Sequence, residues 1–294
     1  MKSFEDLLAS KPTIITVEVT PPKGADSQEI IGRAKKLKGL ADAINITSCP
    51  MAKLNMSSVV FGHLLKTTLD IDVLVNVTTR DRNILGIQSE LLGAHALGIK
   101  NLVSLKGDRM SIGDFPDSAE VFEVNSIELL GIIKNLNTGL DALGRGIKGG
   151  TDFFSGAVLN PNNLASKDNL LRRIKKRQQL DVKFFLTQPL YSIDKILAFG
   201  DLVGNTDIPI ILGILPLKSR KMAETISKGL PGVEIPTRIL DRISELPDED
   251  IRSYALENSL TKMEKVKDSF AGFHIMTAGD LTYAKNLIEL FNKS

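Results

Sequence analysis

The sequence predicts one domain, residues 1–294, folded as a closed eight-stranded β/α barrel (the TIM barrel). Short apolar, β-branched runs alternate with longer amphipathic segments, eight such runs occur, and little chain is left over. Runs that are apolar throughout are typical of parallel strands buried on both faces. The 294 residues suit a fold that typically needs about 250. Strict alternation also fits a doubly wound open sheet, but eight repeats favour the barrel.

Each predicted strand is a run of four to eight mostly apolar residues. The eight are Ile14–Val19, Ala43–Thr47, Val73–Thr78, Asn101–Leu105, Phe153–Leu159, Lys183–Thr187, Ile208–Ile214 and Gly272–Thr277. Between them, apolar residues recur at the three- to four-residue spacing of a helix. Such stripes include Ile30, Ala34, Leu37 and Ala41; Ile84, Ile87 and Leu91; and Leu281, Ala284, Ile288 and Phe291.

Two segments are longer than a plain β/α repeat requires. Residues 107–150 predict extra helical structure after strand 4, with a helix near Ser126–Leu136 and a glycine-rich end. Residues 236–268 predict extra helices between strands 7 and 8. The glycine pattern Gly144–Gly149 resembles a dinucleotide-binding fingerprint, but it precedes a strand instead of following one. It therefore predicts a flexible loop.

Composition excludes several functional classes. The 37 basic and 35 acidic residues leave no large excess of positive charge that could neutralise the phosphates of a nucleic acid. Cys49 is the only cysteine and the three histidines lack ligand spacing, so we expect no metal site. The N-terminal residues carry acids without an apolar core, and no apolar run is long enough to cross a membrane. These features predict a cytoplasmic protein.

Polar residues follow the predicted strands at the end where barrel enzymes place their active sites. With only two carboxylates among them, this ring suits a polar, neutral heterocycle better than a metal or a phosphate ester. Its members are Glu18, Thr47, Thr78, Asp108, Asn160, Gln188 and Thr277.

Glu18 and Asp108 are the two candidate catalytic residues. Glu18 lies in an apolar strand, where desolvation would raise its pKa and let it donate a proton near neutrality; the alternative is a strand-end carboxylate paired with Lys23. Asp108 follows Gly107, which lets the backbone approach a ligand closely. The alternative for Asp108 is a turn aspartate that bonds its own backbone.

Other reactive side chains have simpler interpretations. The basic run Arg172–Arg177 is predicted to form a solvated helix face, or to supply charge to cofactor phosphates at the barrel rim. His274, in strand 8, and His95, on a helix, are interpreted as structural. Cys49 has no histidine near it in sequence and is interpreted as inert.

The strand-end motifs resemble those of methylenetetrahydrofolate reductases. Val17–Lys23 resembles their opening glutamate and double proline, Leu105–Asp108 their leucine–arginine–glycine–aspartate, and Leu186–Gln188 their threonine–glutamine. Gly213–Pro216 matches their strand 7 motif unchanged, and Thr47 corresponds to a threonine that ends strand 2. The motifs occur in order from about residue 14 to residue 290.

This resemblance implies a flavoprotein that reduces 5,10-methylenetetrahydrofolate to 5-methyltetrahydrofolate, or runs the reverse reaction. Glu18 would protonate a folate nitrogen and open the imidazolidine ring, after which reduced flavin would deliver hydride. Asp108 would lie near flavin and pterin and tune the flavin. The implied substrate contacts are Gln188, Thr277 and Arg220. The implied contacts to FAD, with FMN as the alternative cofactor, are Thr47, Asn76, Lys106, Gly107, Asp108, Asn160 and Arg177.

The chain departs from the family at four positions. Asn160-Pro161-Asn162 replaces tyrosine–proline–glutamate, and Asn76 replaces a histidine. Arg220 replaces a phenylalanine that stacks on folate or nicotinamide, and Asp280 stands where an arginine is expected. A charge at position 220 would oppose a nicotinamide that becomes cationic. We therefore expect slow NAD(P)H oxidation and an electron-donating partner subunit, as in some reductases of anaerobes.

Two other functions remain open at this point. A pterin-binding methyltransferase barrel shares the fold and substrate class, but uses no flavin and needs no proton donor at position 18. A barrel retained as an electron-transfer or assembly subunit would lack turnover of its own. The residues leave open the electron donor, the flavin type, homo-oligomer formation and the preferred length of the folate polyglutamate chain.

Overall fold

Eight parallel strands close into one barrel in chain order, as predicted. A computed structural model describes residues 2–162, 167–229 and 233–294. The strands are β1 (Ile14–Val19), β2 (Ala43–Ile46), β3 (Val73–Thr78), β4 (Asn101–Leu105), β5 (Phe154–Leu159), β6 (Phe184–Thr187), β7 (Ile210–Ile214) and β8 (Gly272–Ile275). β2 and β8 end one and two residues before the predicted positions, because the chain turns into a loop there.

Helices connect the strands around the outside of the barrel. They are α1 (Phe4–Ser10), α2 (Gln28–Ala34), α3 (Ser58–Leu69), α4 (Ile84–Ala96), α5 (Ser126–Asn137), α6 (Lys167–Gln178), α7 (Ile193–Val203), α8 (Arg220–Gly229), α9 (Thr237–Glu245), α10 (Asp248–Val266) and α11 (Leu281–Phe291). Among the described helices, none is long and apolar enough to cross a lipid bilayer.

The two long segments contain helices, as expected. Residues 107–150 hold a 3-10 helix, Met110–Ile112, and then α5, which packs on β4 as the crossover helix of that unit. The glycine-rich end forms a compact turn, because the Asp141 carboxylate accepts hydrogen bonds from the Leu143 and Arg145 amides at 2.9 Å each. Between β7 and β8, α9 and α10 occupy the segment predicted to be helical.

Alternation along each strand divides the side chains between two apolar cores. Successive strand residues point to opposite faces, so Ile15, Val17 and Val19 pack against the helices. Ile14 belongs instead to the core inside the barrel, together with Ala43, Leu74, Val103, Phe184, Leu186 and Ile211. Thr16 and Glu18 follow Ile14 in the same alternation, which places them progressively higher in the lumen.

Helix α1 closes the N-terminal end of the barrel. Its first residue, Phe4, is fully buried and makes edge contacts with Phe154 and Phe184, at centroid distances of 6.2 and 5.2 Å. The Phe4 amide donates a 2.9 Å hydrogen bond to the Asp72 carboxylate, just before β3. Among the described residues, this packing fills the N-terminal end of the lumen, and the strand-end residues lie at the opposite end.

Glycine is required where the first and last strands meet. Gly272 pairs with Ile14 across the β1–β8 seam. Its φ is 156°, and an added Cβ would lie 2.0 Å from the Ile14 carbonyl oxygen. A larger residue would force β8 away from β1.

We predict that Phe4→Ala lowers the free energy of unfolding by about 3–5 kcal/mol, the usual cost of removing a buried phenylalanine. Urea denaturation followed by circular dichroism measures the change. Phe115→Ala is the control, since Phe115 is 53% exposed and should change stability by less than about 0.5 kcal/mol. Equal effects of the two substitutions would show that Phe4 does not seal the barrel.

Candidate active site at the C-terminal mouth of the barrel

Glu18 lies at the top of the lumen on β1, as the strand prediction implied. Part of its side chain is exposed at the mouth, but protein surrounds the carboxyl closely enough that desolvation raises its pKa to about 7. The positive charge of Lys218 opposes this shift. A carboxyl with this pKa is protonated in about half of the molecules at neutral pH, which suits a general acid.

Lys218 enters the site from the loop after β7. Its side chain is only 9% exposed, and its Nζ donates a 2.6 Å hydrogen bond to the Thr277 carbonyl oxygen. The ammonium also lies 5.5 Å from the centre of the Tyr283 ring. The pKa of Lys218 is lowered overall, because the effect of burial exceeds the opposing effect of the nearby Asp280 and Glu18 charges. These contacts hold one positive charge beside the Glu18 carboxyl.

Asp280 links Lys218 to an arginine from another element. Its Oδ2 accepts a 2.6 Å hydrogen bond from Arg252 of α10 and lies 3.8 Å from Lys218 Nζ. Its Oδ1 caps α11 by accepting from the Tyr283 amide. The structure therefore brings an arginine to the loop after β8, although the sequence has aspartate where the resemblance implied arginine.

Thr277 connects the last strand to the first at the level of Glu18. Its hydroxyl donates a 3.0 Å hydrogen bond to the Glu18 backbone carbonyl. The side chain is 3% exposed, and the same oxygen accepts from the Gly279 amide. Its hydroxyl therefore positions β1 beside the β8 loop and donates to the protein backbone.

Gln188 stands at the end of β6, across the barrel from Glu18. Its Oε1 is buried and has no hydrogen-bond partner among the described residues. A buried carbonyl oxygen without a donor costs free energy, so an N–H group of a ligand would satisfy it. A pterin ring, which has donors along one edge, remains the predicted partner of Gln188.

Thr47 and Asn76 line the lumen on β2 and β3, on the side of Glu18. Thr47 is 5% exposed, and its hydroxyl donates to the Thr20 hydroxyl at 3.2 Å. Asn76 Oδ1 accepts from Asn45 Nδ2 at 2.8 Å, while its Nδ2 makes no hydrogen bond within the described residues. One side of the lumen is therefore polar and uncharged.

Buried Arg80 joins three loops around the mouth. The side chain is 1% exposed and forms a bidentate ion pair with Asp81. Its Nη1 donates to the Cys49 carbonyl after β2 at 3.2 Å and to the Asp108 carbonyl after β4 at 3.4 Å. Five donors in a rigid fork allow one arginine to bridge all three loops.

Asp108 is exposed at this mouth. Its carboxylate accepts a 2.6 Å hydrogen bond from the amide of Met51, a residue with φ of 54°. Asp108 therefore stabilises a strained segment of the β2 loop. The alternative of a turn aspartate that bonds its own backbone is not what the structure shows, because the amide that it accepts from belongs to another loop.

The backbone at Lys106–Gly107 passes close to β3. Gly107 has φ of 89°, and an added Cβ would lie 3.1 Å from Arg80 Cβ and 3.2 Å from Thr78 Cβ. Lys106 Nζ lies 5.1 Å from the centre of the Phe122 ring. Glycine therefore lets this loop pass close to Thr78 and Arg80.

Two predicted site residues, Asn160 and Arg220, have partners within the protein. Asn160 Oδ1 accepts from the amide and the side chain of Asn162, both at 3.0 Å. Arg220 pairs with Asp248 and with the Leu246 carbonyl, at the α9–α10 junction. Because Asp248 compensates its charge there, Arg220 gives no reason to expect repulsion of an oxidised nicotinamide.

Arg177 lies in the last turn of α6, which returns toward the N-terminal end of the barrel. It is 4% exposed, and its Nη1 donates to the Arg173 carbonyl at 3.3 Å. Its Nε is buried without a partner among the described residues. Burial, with a smaller effect of Arg173, lowers the pKa of Arg177 to about 10. The rest of the basic run is exposed.

The histidines and the cysteine have structural surroundings. His274 is buried, its Nδ1 shares a 2.9 Å hydrogen bond with the Thr16 hydroxyl, and burial lowers its pKa to about 4. His95 contacts Asp152 at 3.1 Å. Cys49 Sγ lies 3.7 Å from the Asn55 carbonyl oxygen. Within the described ranges, no three His, Cys, Asp or Glu side chains form a group able to hold a metal ion.

Lys218, Arg80 and Arg252 lie at the mouth but were not predicted from the sequence. Lys218 is two residues after the Gly213–Pro216 motif at a strand end, and this position could have identified it. Arg80 follows β3 by two residues in the same way. Arg252 had no local indication, since it lies on α10 and reaches the site only through tertiary contact.

We predict that Lys218→Met raises the pKa of Glu18 above about 7, because it removes a positive charge that favours the carboxylate. The Glu18 side-chain carboxyl, assigned by the loss of its signal in Glu18→Gln, can be titrated by carbon NMR. Lys221→Met is the control, since Lys221 is exposed on α8. An unchanged Glu18 titration in Lys218→Met would show that the two groups are not coupled.

Comparison with known proteins agrees with this geometry. A family model for methylenetetrahydrofolate reductase matches residues 3–291. Methylenetetrahydrofolate reductase 1 of Schizosaccharomyces pombe is 24% identical over 193 residues, which are 64% of this chain and 30% of the yeast protein. The chain thus spans less than a third of that relative's length.

Solved structures show the same fold. A protein from Clostridium thermocellum that binds two copies of 5-methyl-5,6,7,8-tetrahydrofolic acid superposes with a TM-score of 0.67 at 17% identity, covering 97% of this chain and 99% of that one. Dihydropteroate synthase from Xanthomonas albilineans, in complex with 7,8-dihydropteroate, gives a TM-score of 0.52 at 11% identity and covers 96% and 93%. Because the family model spans nearly every residue, the chain belongs to the methylenetetrahydrofolate reductase family.

Proposed function

We propose that the protein catalyses flavin-dependent reduction of 5,10-methylenetetrahydrofolate to 5-methyltetrahydrofolate. The observation that carries the proposal is Glu18, a lumen carboxyl with a pKa of about 7 at the C-terminal mouth of the barrel. Family membership supplies the substrate class. The reaction belongs to one-carbon metabolism, and in the cytoplasm it would supply methyl groups for methionine.

Folate would bind across the mouth, between Gln188 and Glu18. The unpartnered Gln188 Oε1 would accept a hydrogen bond from the pterin. Protonated Glu18 would donate its proton to the folate nitrogen whose bond to the bridging carbon opens. That step leaves a cationic iminium on the substrate, beside the newly formed Glu18 carboxylate. The Clostridium thermocellum relative, which binds methyltetrahydrofolate in the same fold, supports this class of ligand.

The residues on β2–β4 fit a flavin. Thr47, Asn76 Nδ2 and the Lys106–Gly107 backbone would offer neutral hydrogen-bonding groups to a planar ring. Asp108 lies at the same edge and would act on the ring electrostatically. The bound flavin would supply the hydride for the reduction. The positions of these residues at the mouth support a contact with flavin more than the position of Arg177 does, because the Arg177 Cα lies in the last turn of α6.

Lys218 would adjust the proton donor. Its charge lowers the pKa of Glu18 and so opposes desolvation. Without this charge, Glu18 would remain protonated to higher pH but would release its proton less readily. We propose that Lys218 sets the balance between holding and donating the proton, which is most favourable when the pKa lies near the working pH.

We predict that the purified protein carries non-covalently bound flavin. Reconstitution with FAD or FMN at micromolar concentration should give bound cofactor, seen as flavin absorbance near roughly 450 nm after gel filtration. Folate turnover with reduced viologen then tests activity without assuming a natural donor. Absence of bound flavin would favour the methyltransferase function, and bound flavin without turnover would favour an electron-transfer subunit.

We predict that Glu18→Gln lowers folate reduction by about 10²- to 10⁴-fold, the usual contribution of a positioned proton donor. Flavin binding and flavin reduction by a small-molecule donor should be unchanged, because Glu18 is proposed to act on folate. The measurement is steady-state turnover beside a flavin titration. Nearly normal turnover, or an equal loss of flavin binding, would contradict the proton-donor role.

We predict that the same Glu18→Gln substitution stabilises the fold at pH 8. Folding raises the pKa of Glu18 from 4.5 to about 7, so the ionised carboxylate opposes folding. The penalty is absent below pH 4.5, grows as pH rises, and is complete above pH 7. Removing it should add up to about 3 kcal/mol to the free energy of unfolding. Urea denaturation at pH 4.5 and pH 8 should show this difference at pH 8 alone.

A further inference from the structure

A second cavity lies outside the barrel, between the loop after β6, the start of α7 and helices α9 and α10. We call it the lateral cavity, and it has a volume of about 290 Å³. Its lining residues are Tyr191, Ile193, Arg238, Ile239, Arg242, Tyr254, Asn258 and Lys262. None of them belongs to the lumen or to the mouth around Glu18. A smaller chamber of about 10 Å³ continues inward past Tyr191 and Lys262 to Pro216 and Ser259.

Tyr191 contributes a buried hydroxyl without a partner. The residue is 3% exposed, and its hydroxyl makes no hydrogen bond with the described residues. Leaving a buried hydroxyl unsatisfied costs free energy that a hydrogen-bonding ligand would recover. Burial also raises the pKa of Tyr191, so its hydroxyl keeps its proton and can donate to an acceptor.

Lys262 contributes a buried positive charge. It is 3% exposed on α10, and its Nζ lies 5.0 Å from the centre of the Tyr191 ring. Throughout the described part of the chain, no carboxylate forms an ion pair with it. The aromatic ring compensates the charge only in part, and burial lowers the pKa of Lys262 to about 8. An anion placed here would supply the missing partner.

The remaining lining residues make the lateral cavity cationic, with apolar walls. Arg238 and Arg242 line it, and no lining residue is acidic. The nearest acidic partner is Glu245, 4.0 Å from Arg242, in a pair whose side chains are both more than half exposed. Ile193 and Ile239 provide apolar surface next to the charges. The volume is near the lower end for small-molecule sites, which suits a single-ring or two-ring compound better than a dinucleotide.

We propose that the lateral cavity is a binding site for a small organic anion, an aromatic or other apolar body carrying one acidic group. The acidic group would pair with Lys262 and accept a hydrogen bond from the Tyr191 hydroxyl, with the apolar body against the isoleucine walls. The proposal does not depend on the reductase function, since the cavity shares no residue with the mouth. Tyr191 lies in the loop after β6, and Pro216, which lines the smaller chamber, lies in the loop after β7. Ligand binding would therefore affect the positions of these two loops.

Tyrosine fluorescence offers a direct test. The chain has no tryptophan and three tyrosines, of which Tyr191 and Tyr254 line the lateral cavity. We would titrate the full chain with 5-(dimethylamino)naphthalene-1-sulfonate, a two-ring aromatic anion, and follow both tyrosine quenching and the rise in probe emission. The expected result is saturable binding of one probe molecule. Lys262→Met should weaken it about ten- to hundredfold, as for loss of a charged hydrogen-bond partner.

Matched variants separate this site from the barrel mouth. Lys265→Met removes an exposed charge from the same helix and should leave probe affinity unchanged, while Tyr191→Phe should weaken it without altering the circular dichroism spectrum. Glu18→Gln should also leave probe affinity unchanged. Equal affinity in Lys262→Met and Lys265→Met would overturn the proposal. So would probe binding that does not saturate, or that Glu18→Gln alters as much as Lys262→Met does.

Discussion

Closure of the eight-stranded sheet determines which side chains can reach a ligand. Once the strands close into a ring, every second residue faces the lumen, and only the last inward position of each strand lies at the mouth. Glu18 reaches this position because it follows Ile14 and Thr16 in the same alternation. A shift of one residue in the register of β1 would turn Glu18 toward the helices and place Val19 in the lumen. The pKa of the carboxyl therefore depends on the strand register.

The mouth has two differently built halves. On the β2–β4 side, one buried guanidinium holds three loops together, so the position of each loop depends on the others. On the β7–β8 side, Lys218, Asp280 and Arg252 form a chain of opposite charges that ends beside Glu18. In the first half, the lumen residues Thr47 and Asn76 are neutral hydrogen-bonding groups. The second half places a positive charge beside the Glu18 carboxyl, and its charged residues come from three separate elements.

The sequence predicted the barrel and its strands closely, because buried parallel strands are continuous apolar runs that contrast with amphipathic helices. Glu18, Gln188 and Asp108 were predicted at the mouth because each lies near the end of such a run or shortly after it. Lys218 was not predicted, although it lies in a strand-end loop, because the family resemblance points to position 220 instead. The partners of Arg220 could not have been foreseen, since Asp248 lies 28 residues away and meets it only after α8 and α9 pack. Local patterns thus locate the positions at the mouth, whereas the pairing of charges depends on tertiary structure.

The pairing of β1 with β8 also has a consequence for how the chain is made. Their contacts join residues 258 positions apart, as in the Thr16–His274 hydrogen bond. During synthesis, β1 has no partner on that side until the chain has been made as far as β8. Until then, the unpaired edge of β1 and its apolar residues lack their final neighbours. Exposed apolar surface and unpaired strand edges favour aggregation. At synthesis rates of about 5–20 residues per second, this interval lasts on the order of 10 to 50 seconds. The pairing of β1 with β8, which brings Thr277 to Glu18, is therefore a late step in folding during synthesis.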